Sequence, residues 1–372
     1  MWNRIIGQER VKKIVNTVFK SEKIAHSYIF YGKEGVGKDA VALEFAKMLN
    51  CETPVNGEAC DKCKSCVQIN NFNSPFVKFI MPLPTGGKDT DDDDSVNDLK
   101  QEDYETLREE INNKIEDIYH KIRIPKANFI RINSIRDIKN SIYLSEGNKK
   151  KVYIISDADM MNPQSANALL KILEEPPKNS ILILTTSRLN SLLPTIIGRC
   201  QKIQFDDLSL DEIKKYIRSK DSSLSEKDLD MYAELSGGSI YNCNKILSGY
   251  FLEVKDKVLD YLMFLLSNKY LSLGNVIDNI NDGKEKEKMK QFLLFLIYWF
   301  RDLALLNAGN EKMILNHDKL DRLKKFNENF KTNFFKVISE IEDTFRDIDL
   351  NINPELIFFK LSFRLKQNIV RK

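Results

Sequence analysis

Tyr28-Ile29-Phe30-Tyr31-Gly32-Lys33-Glu34-Gly35-Val36-Gly37-Lys38-Asp39 runs from an apolar stretch through three glycines to a lysine, and a helical pattern over Ala40 to Leu49 follows. A strand, a glycine-rich loop and a helix in that order make the opening of an α/β domain. The Gly32-x4-Gly37-Lys38 spacing is that of a phosphate loop. In a working loop, backbone N–H groups cradle the phosphates, the lysine neutralises the β and γ oxygens, and a Ser or Thr hydroxyl holds Mg²⁺. Gly32, Gly37 and Lys38 are in place, but Asp39 stands where the hydroxyl belongs. A carboxylate beside a triphosphate repels it unless it takes over the metal. Two readings therefore stay open: Lys38 as a ligand of ATP with Mg²⁺, or a loop that keeps its shape without its ligand. The second acidic motif should follow a buried strand, and after Val152-Tyr153-Ile154-Ile155 come Ser156 and Asp157. Ser156 replaces the metal-holding carboxylate, and Asp157 is one methylene shorter than the glutamate that orients an attacking water. Binding without hydrolysis fits these changes better than turnover.

Cys51-x8-Cys60-x2-Cys63-x2-Cys66 begins thirteen residues after Lys38. Four thiolates at this spacing suffice for one tetrahedral Zn²⁺ site. Four protein ligands leave no position for water, so the expected metal is structural and not catalytic. Cys200 and Cys243 lie far apart in the chain. Metal-held thiolates in a reducing, cytoplasmic compartment fit this usage better than a disulfide scaffold.

Up to about residue 206, short apolar runs alternate with helical patterns: Tyr28 to Phe30, Phe129 to Ile132, Val152 to Ile155 and Ile181 to Leu184. The alternation predicts a parallel sheet with helices on both faces. Asn162-Pro163 offers an N-cap and a first-turn proline; Ala166, Leu169, Leu170 and Leu173 form one stripe, and Pro176-Pro177 ends the helix. Residues 84–127 read as an insertion. It opens with Thr85-Gly86-Gly87 and the acidic run Asp91 to Asp94, either a solvated loop or a weak Mg²⁺ site. An amphipathic helix follows, with Tyr104, Leu107, Ile111, Ile118 and Ile122 on one face. From Leu208 the pattern turns helical, with starts of the capping-box type at Ser209-x-x-Glu212 and Ser225-x-x-Asp228 and a break at Gly237-Gly238. After about residue 250 long helices dominate without a strand pattern, and residues 353–368, opening at Asn353-Pro354, form the last helix.

The 372 residues suggest two or three domains. With 42% hydrophobic and 30% charged residues and a net charge of +3, the composition is that of an ordinary globular chain. It carries no global basic signature for nucleic acid, so any DNA contact must be local. Met1-Trp2-Asn3-Arg4 lacks the apolar region of a signal peptide. The most apolar stretch, Phe292 to Phe300, is too short for a bilayer, which needs about 20 residues, and reads as a buried helix. His26, His120 and His317 form no cluster, and no catalytic triad or carboxylate pair stands out.

Taken together, the motifs resemble the bacterial clamp-loader ATPase-like subunits of DNA polymerase III. The resemblance covers most of the first 250 residues. It rests on Ile6-Gly7-Gln8, Ala25-His26-Ser27-Tyr28-Ile29-Phe30, the phosphate loop, the cysteine module, Asn167-Ala168-Leu169-Leu170-Lys171-Ile172-Leu173-Glu174-Glu175-Pro176-Pro177 and Gly198-Arg199-Cys200. Trp299-Phe300-Arg301-Asp302-Leu303 is similar to the family further on. The resemblance implies an α/β AAA+ phosphate-loop domain over residues 1–206, with its zinc module at 51–66 and the insertion at 84–127. A small three-helix lid would follow over 207–250, and an all-α collar that builds the oligomer over 251–372.

Within the family, the motor subunits gamma and tau carry Ser or Thr after the loop lysine, Asp-Glu in the second motif and an arginine after a Gly-Ser-x stretch in the lid. This chain departs at all three places, with Asp39, with Ser156-Asp157, and with Tyr241 in Gly238-Ser239-Ile240-Tyr241, and it ends without the long tail of tau. It resembles the stator-like delta-prime branch. That implies no ATPase activity alone, assembly with gamma or tau and delta, and loading of a sliding clamp on primed DNA, with no membrane partner. It also implies that Arg199 reaches a neighbouring subunit's ATP, where such a finger is worth about 10³–10⁵ in rate. Helix N-termini of the first domain would track the DNA backbone. Arg136, in a helix opening at Asn133-Ser134, and the start at Asn162 are the candidates, against the reading of solvated helix starts. An active phosphate-loop ATPase is the alternative favoured by Gly32, Gly37 and Lys38; a zinc-stabilised DNA-binding adaptor is a third.

Overall fold

β1 (Ser27–Tyr31) is the strand that leads into the phosphate loop, and the sheet around it has the order β2-β3-β4-β1-β5, every pairing parallel. The structure is a computed structural model. It describes all residues except 1, 22, 85–95, 97, 98, 143–148, 249, 282–285 and 351. The expectations for Thr85-Gly86-Gly87 and for Asp91 to Asp94 lie outside the described residues. The chain divides into two units, Met1–Asn244 and Lys245–Lys372.

In the first unit, α1 (Glu9–Lys20) precedes β1, and α2 (Lys38–Asn50) leaves the phosphate loop. Then come α3 (Lys64–Asn70), β2 (Val77–Ile80), α4 (Gln101–Glu116), α5 (Ile132–Ile142), β3 (Lys151–Ile155), α6 (Pro163–Glu174), β4 (Ser180–Thr186), α7 (Pro194–Ile197) and β5 (Gln201–Gln204). Both faces of the sheet are buried, as a parallel sheet requires. Tyr28 and Phe30 point to one face, where Tyr28 meets Phe45 of α2 edge-on at 5.6 Å between ring centres. Ile29, Tyr153, Ile155, Leu182 and Leu184 point to the other and pack with α5 and α6. The period of two along each strand assigns these faces. α8 (Leu210–Lys220), α9 (Glu226–Ser236) and α10 (Ile240–Leu247) follow the sheet.

Several local expectations hold. Asn162 caps α6 by accepting from the Ser165 N–H, with Pro163 at the first helical position. Ser209 and Glu212 form a full capping box, and Ser225 accepts from the Asp228 N–H. Three expectations need correction. Phe129 to Ile132 is not a strand: the Ile130 N–H donates to Met160, the Phe129 carbonyl accepts from Leu83, and Ile132 already opens α5. The run crosses between two segments and pairs along neither. The inserted helix ends at Glu116, so Ile118 and Ile122 lie beyond it. Asp117 stops it, with an extended backbone and a carboxylate that accepts from the Tyr119 N–H. The region after residue 250 does contain strands, β6 (Phe330–Thr332) and β7 (Ile369–Arg371), paired antiparallel.

The second unit is otherwise helical, with α11 (Tyr250–Leu266), α12 (Tyr270–Asn281), α13 (Lys286–Asn307), α14 (Leu320–Asn329), α15 (Phe334–Asp349) and α16 (Pro354–Asn368). The apolar stretch Phe292 to Phe300 lies inside α13, with Phe292, Leu293, Leu296 and Phe300 fully buried. Tyr261 and Phe358 stack edge-on to Phe292, and the Tyr261 hydroxyl is hydrogen-bonded to Ser362 at 2.7 Å.

Candidate functional site

The carboxyl ends of β1, β3 and β4 open together beside the phosphate loop. In open α/β sheets this is where ligands bind. Gly35 and Gly37 have φ of 78° and 99°. A Cβ on Gly35 would come within 2.1 Å of the Ser239 hydroxyl, and one on Gly37 within 3.1 Å of the Tyr119 ring. Glycine is thus required by both conformation and space. Lys38 turns back on the loop, its ammonium donating to the carbonyls of Gly32 at 2.8 Å and Lys33 at 2.6 Å. Burial lowers its pKa, opposed by the nearby carboxylates.

Asp39 is held by hydroxyls from two strand ends. Its carboxylate accepts from Ser156 at 2.8 Å and from Thr185 at 2.6 Å. The carboxylate thus sits on the loop and the hydroxyls on the strand ends. A working site carries the hydroxyl on the loop and the carboxylate after the second strand; here the O–H···O bond joins the same two segments with donor and acceptor exchanged. The ammonium of Lys114, from α4, lies 4.0 Å from Asp39. Burial pushes Asp39's pKa up, but the Lys114 charge, the two hydroxyls and Lys38 outweigh it and hold the carboxyl below its ordinary value.

The segment after α4 completes the site. Lys114 donates to the carbonyls of Ile118 at 3.3 Å and His120 at 2.6 Å. Lys121 bridges Glu34 of the loop, at 2.5 Å, and Asp157, at 3.0 Å. Arg123 also pairs with Glu34, at 2.6 Å. Asp157 is raised by burial and by Asp39, with Lys121 opposing. Asp157, the residue expected from the sequence at the water-orienting position, is therefore tied into an ion pair. Tyr241 lines the same cavity. About 40 Å³ remains open, against roughly 300–1,000 Å³ for a small-molecule site.

Lys114 is 2% exposed and Asp39 19%. Removing one partner of such a pair strands the other charge. Lys114→Ala is expected to destabilise the chain by about 3 kcal/mol in urea unfolding, and by clearly less in an Asp39→Asn background. Equal losses in both backgrounds would show that the charge pair contributes nothing. The depressed pKa of Asp39 fixes the sign with pH. The stability it contributes is present above the unfolded carboxyl value of about 3.9 and is lost as pH falls through the lower folded value.

At the end of α2 the four expected cysteines converge. The sulfurs of Cys51, Cys60, Cys63 and Cys66 lie within 4.8 Å of one another. A tetrahedral Zn²⁺ with 2.3 Å bonds needs about 3.8 Å between sulfurs, so the set can hold a zinc ion. The donors suit thiolates. Cys51 accepts from the Cys60 N–H and Cys60 from that of Cys63, both at 3.3 Å. The Thr53 hydroxyl donates to Cys60 at 3.2 Å. With the Lys62 and Cys63 N–H groups, that bond pulls the Cys60 thiol down to about 6. Asp61, with φ of 58°, turns the chain between these ligands, and Lys47 of α2 anchors its carboxylate at 2.5 Å.

Arg199 lies outside the cavity, on the exposed turn between α7 and β5. It donates to the Thr195 carbonyl at 3.0 Å and to Glu174 at 2.8 Å. Arg136 is half-buried on α5 and reaches Asn133 at 3.4 Å. Of the expected residues, the fold gathers Gly37, Lys38, Asp39, Asp157 and Tyr241 at one cavity. The cysteines form a second centre, and Arg199 and Arg136 stand apart from both. Sequence reasoning missed Thr185, Glu34, Lys114, Tyr119 and Lys121. Lys114 carried a signal: it follows Leu107 and Ile111 at i+7 and i+3, a cation on an apolar stripe.

Residues 7–209 match the family described as DNA polymerase III, delta subunit. The chain is 24% identical to DNA polymerase III subunit tau of Bacillus subtilis (strain 168), over 95% of this chain and 59% of that protein. It is 27% identical to DNA polymerase III subunit delta' of the same organism, over 86% of this chain and 83% of that one. Against subunit tau of Escherichia coli (strain K12), the 27% identity covers 63% of this chain and 31% of that protein. A solved DNA polymerase III gamma subunit-related protein from Thermotoga maritima aligns over 95% of this chain and 99% of its own, with a TM-score of 0.49 at 16% identity.

Proposed function

The chain belongs to the family described as DNA polymerase III, delta subunit, and from that premise we propose that it is the stator-like delta-prime subunit of a clamp loader. The observation that carries this reading is the exchanged pair at the phosphate loop. With Asp39 bound by Ser156 and Thr185 and faced by Lys114, the loop has no hydroxyl for Mg²⁺. With Asp157 paired to Lys121, no carboxylate is left to orient water. The subunit works by position: it assembles with gamma or tau motor subunits and delta, and helps place a sliding clamp on primed DNA in the cytoplasm. Arg199, exposed and outside the chain's own cavity, reaches a neighbour's ATP. Helices α8 to α10 serve as the lid and residues 251–372 as the oligomerising collar. Zn²⁺ on Cys51, Cys60, Cys63 and Cys66 is structural, since four ligands close its coordination. Among the described residues no helix is long and apolar enough to cross a membrane.

The test is ATP turnover by the isolated full chain. None is expected above the no-enzyme rate, and purified gamma or tau and delta should form a stable complex with it. Intact Gly32, Gly37 and Lys38 favour the rival reading of an active motor ATPase. Turnover by the isolated chain that disappears in Lys38→Ala would establish that rival. DNA contact by this subunit is expected to be minor. Arg136→Glu in the assembled complex should lower affinity for primed DNA a few-fold and flatten its salt dependence by about one unit of slope. An unchanged salt slope would remove Arg136 from the DNA path.

A further inference from the structure

The inserted segment has no part in the proposed subunit role, yet Lys114, Ile118, Tyr119, His120 and Lys121 line the phosphate-loop cavity. We infer that residues 101–121 are an intramolecular plug, seated in the nucleotide site with Lys114 in the place of a cation and the Tyr119 ring over the N-terminus of α2. The inference goes beyond the proposed subunit assignment and does not depend on it.

Three observations carry it. First, the segment is anchored from outside the site. Leu107 packs with Met81, Leu83 and Ile124 in a small core of its own, joined by Ile111 and Phe79. Second, the turn after α4 is shaped to enter the cavity. Asp117 accepts from the Tyr119 N–H at 3.0 Å and from the side-chain amide of Asn244 at 2.5 Å, and the Tyr119 hydroxyl accepts from the Ile6 N–H at 2.8 Å. The Tyr119 ring then lies against Gly37, the residue that opens α2. Free N–H groups at such a helix start are what would hold a phosphate. Third, the charges balance without a ligand. Lys114 faces Asp39, and Lys121 pairs with both Glu34 and Asp157. Mg·ATP entering the site would have to displace two ammonium groups and an aromatic ring together.

Two features each oppose Mg·ATP: the residues at Asp39 and Ser156, and the plug. Mg·ATP binding to the full-length chain, measured by isothermal titration, separates them. Restoring the ordinary arrangement with Asp39→Thr and Ser156→Asp, plug intact, is expected to give no saturable binding at millimolar ATP. Adding Lys114→Ala, Tyr119→Ala and Lys121→Ala to that chain is expected to tighten binding at least tenfold. Binding after the two restoring substitutions alone would overturn the plug, as would a folded five-substitution chain that still binds nothing. Hydrogen exchange on the chain with Lys114→Ala alone gives a second readout that needs neither multiple variant. Amides of residues 32–38 and 113–121 should speed up together by tenfold or more, because one seated unit opens as one. Faster exchange confined to 113–121 would overturn the inference.

Discussion

Replacing Arg199 by alanine is expected to lower the DNA-stimulated ATP turnover of the assembled clamp loader by about 10³-fold at the neighbouring site it is proposed to complete, while the subunit itself melts unchanged. The two halves of the expectation have separate grounds. Among the described residues the guanidinium pairs with Glu174, and its side chain is 37% exposed. Surface pairs of this kind contribute about 0–1 kcal/mol, so the fold should not notice the loss. The backbone at this turn is held independently, since the Ser27 hydroxyl donates to the Arg199 carbonyl at 2.9 Å. In the complex, a delocalised cation aimed at a γ-phosphate stabilises charge that develops only in the transition state, which is where such a large factor arises. Arg199→Lys should recover little, because a point charge cannot make the same paired hydrogen bonds. Lys38→Ala in this chain should leave the turnover of the complex nearly intact, since Lys38 is hydrogen-bonded to its own loop. The opposite pattern, a large loss with Lys38→Ala and none with Arg199→Ala, would make this chain a motor.

What the sequence disclosed follows from how local each signal is. The phosphate loop, the capped helices at Asn162 and Ser209 and the cysteine module are written in adjacent residues, and the structure places each of them. β1, β3 and β4 were legible because burial on both faces demands unbroken apolar runs. β5 was not: it is an edge strand, Gln201–Gln204, with Ile203 as its one buried residue. β2 escaped because Lys78 interrupts its four residues. At the cavity, the departure from the expected ligand types was readable at Asp39 and Ser156. That Ser156 bonds Asp39, and that Thr185 joins them, depends on the spacing of three strand ends in space. No linear spacing encodes the meeting of Lys114 with Asp39 across 75 positions. The inserted helix was visible, but its exit was misplaced, because the helical stripe continues in sequence past the Asp117 turn that ends it in space.

Zinc removal is the second large effect expected. Protein purified without chelator should carry one zinc per chain, and Cys66→Ala should abolish that zinc and lower the melting temperature by about 10 °C. In small zinc peptides, metal binding contributes about 10–16 kcal/mol to folding. Here the sheet has its own core, so only part of that should couple to global unfolding. About 4 kcal/mol would suffice for the shift in a domain of this size. The route of coupling runs through α2. Lys47 is fully buried there, 2.8 Å from the equally buried Glu44 and 2.5 Å from Asp61 in the cysteine turn. Without metal the turn from Cys60 to Cys63 is no longer tied, Asp61 leaves, and Lys47 keeps only one of its two carboxylates in the interior. A buried ion pair that loses a partner is strongly destabilising. Because α2 begins at Lys38, the disturbance should reach the phosphate loop, and hydrogen exchange at residues 38–50 should rise along with that at 51–66. Zinc well below one equivalent in chelator-free protein would dismiss the metal. Full zinc with an unshifted melting temperature after its removal would leave the metal bound but uncoupled from the α2 core.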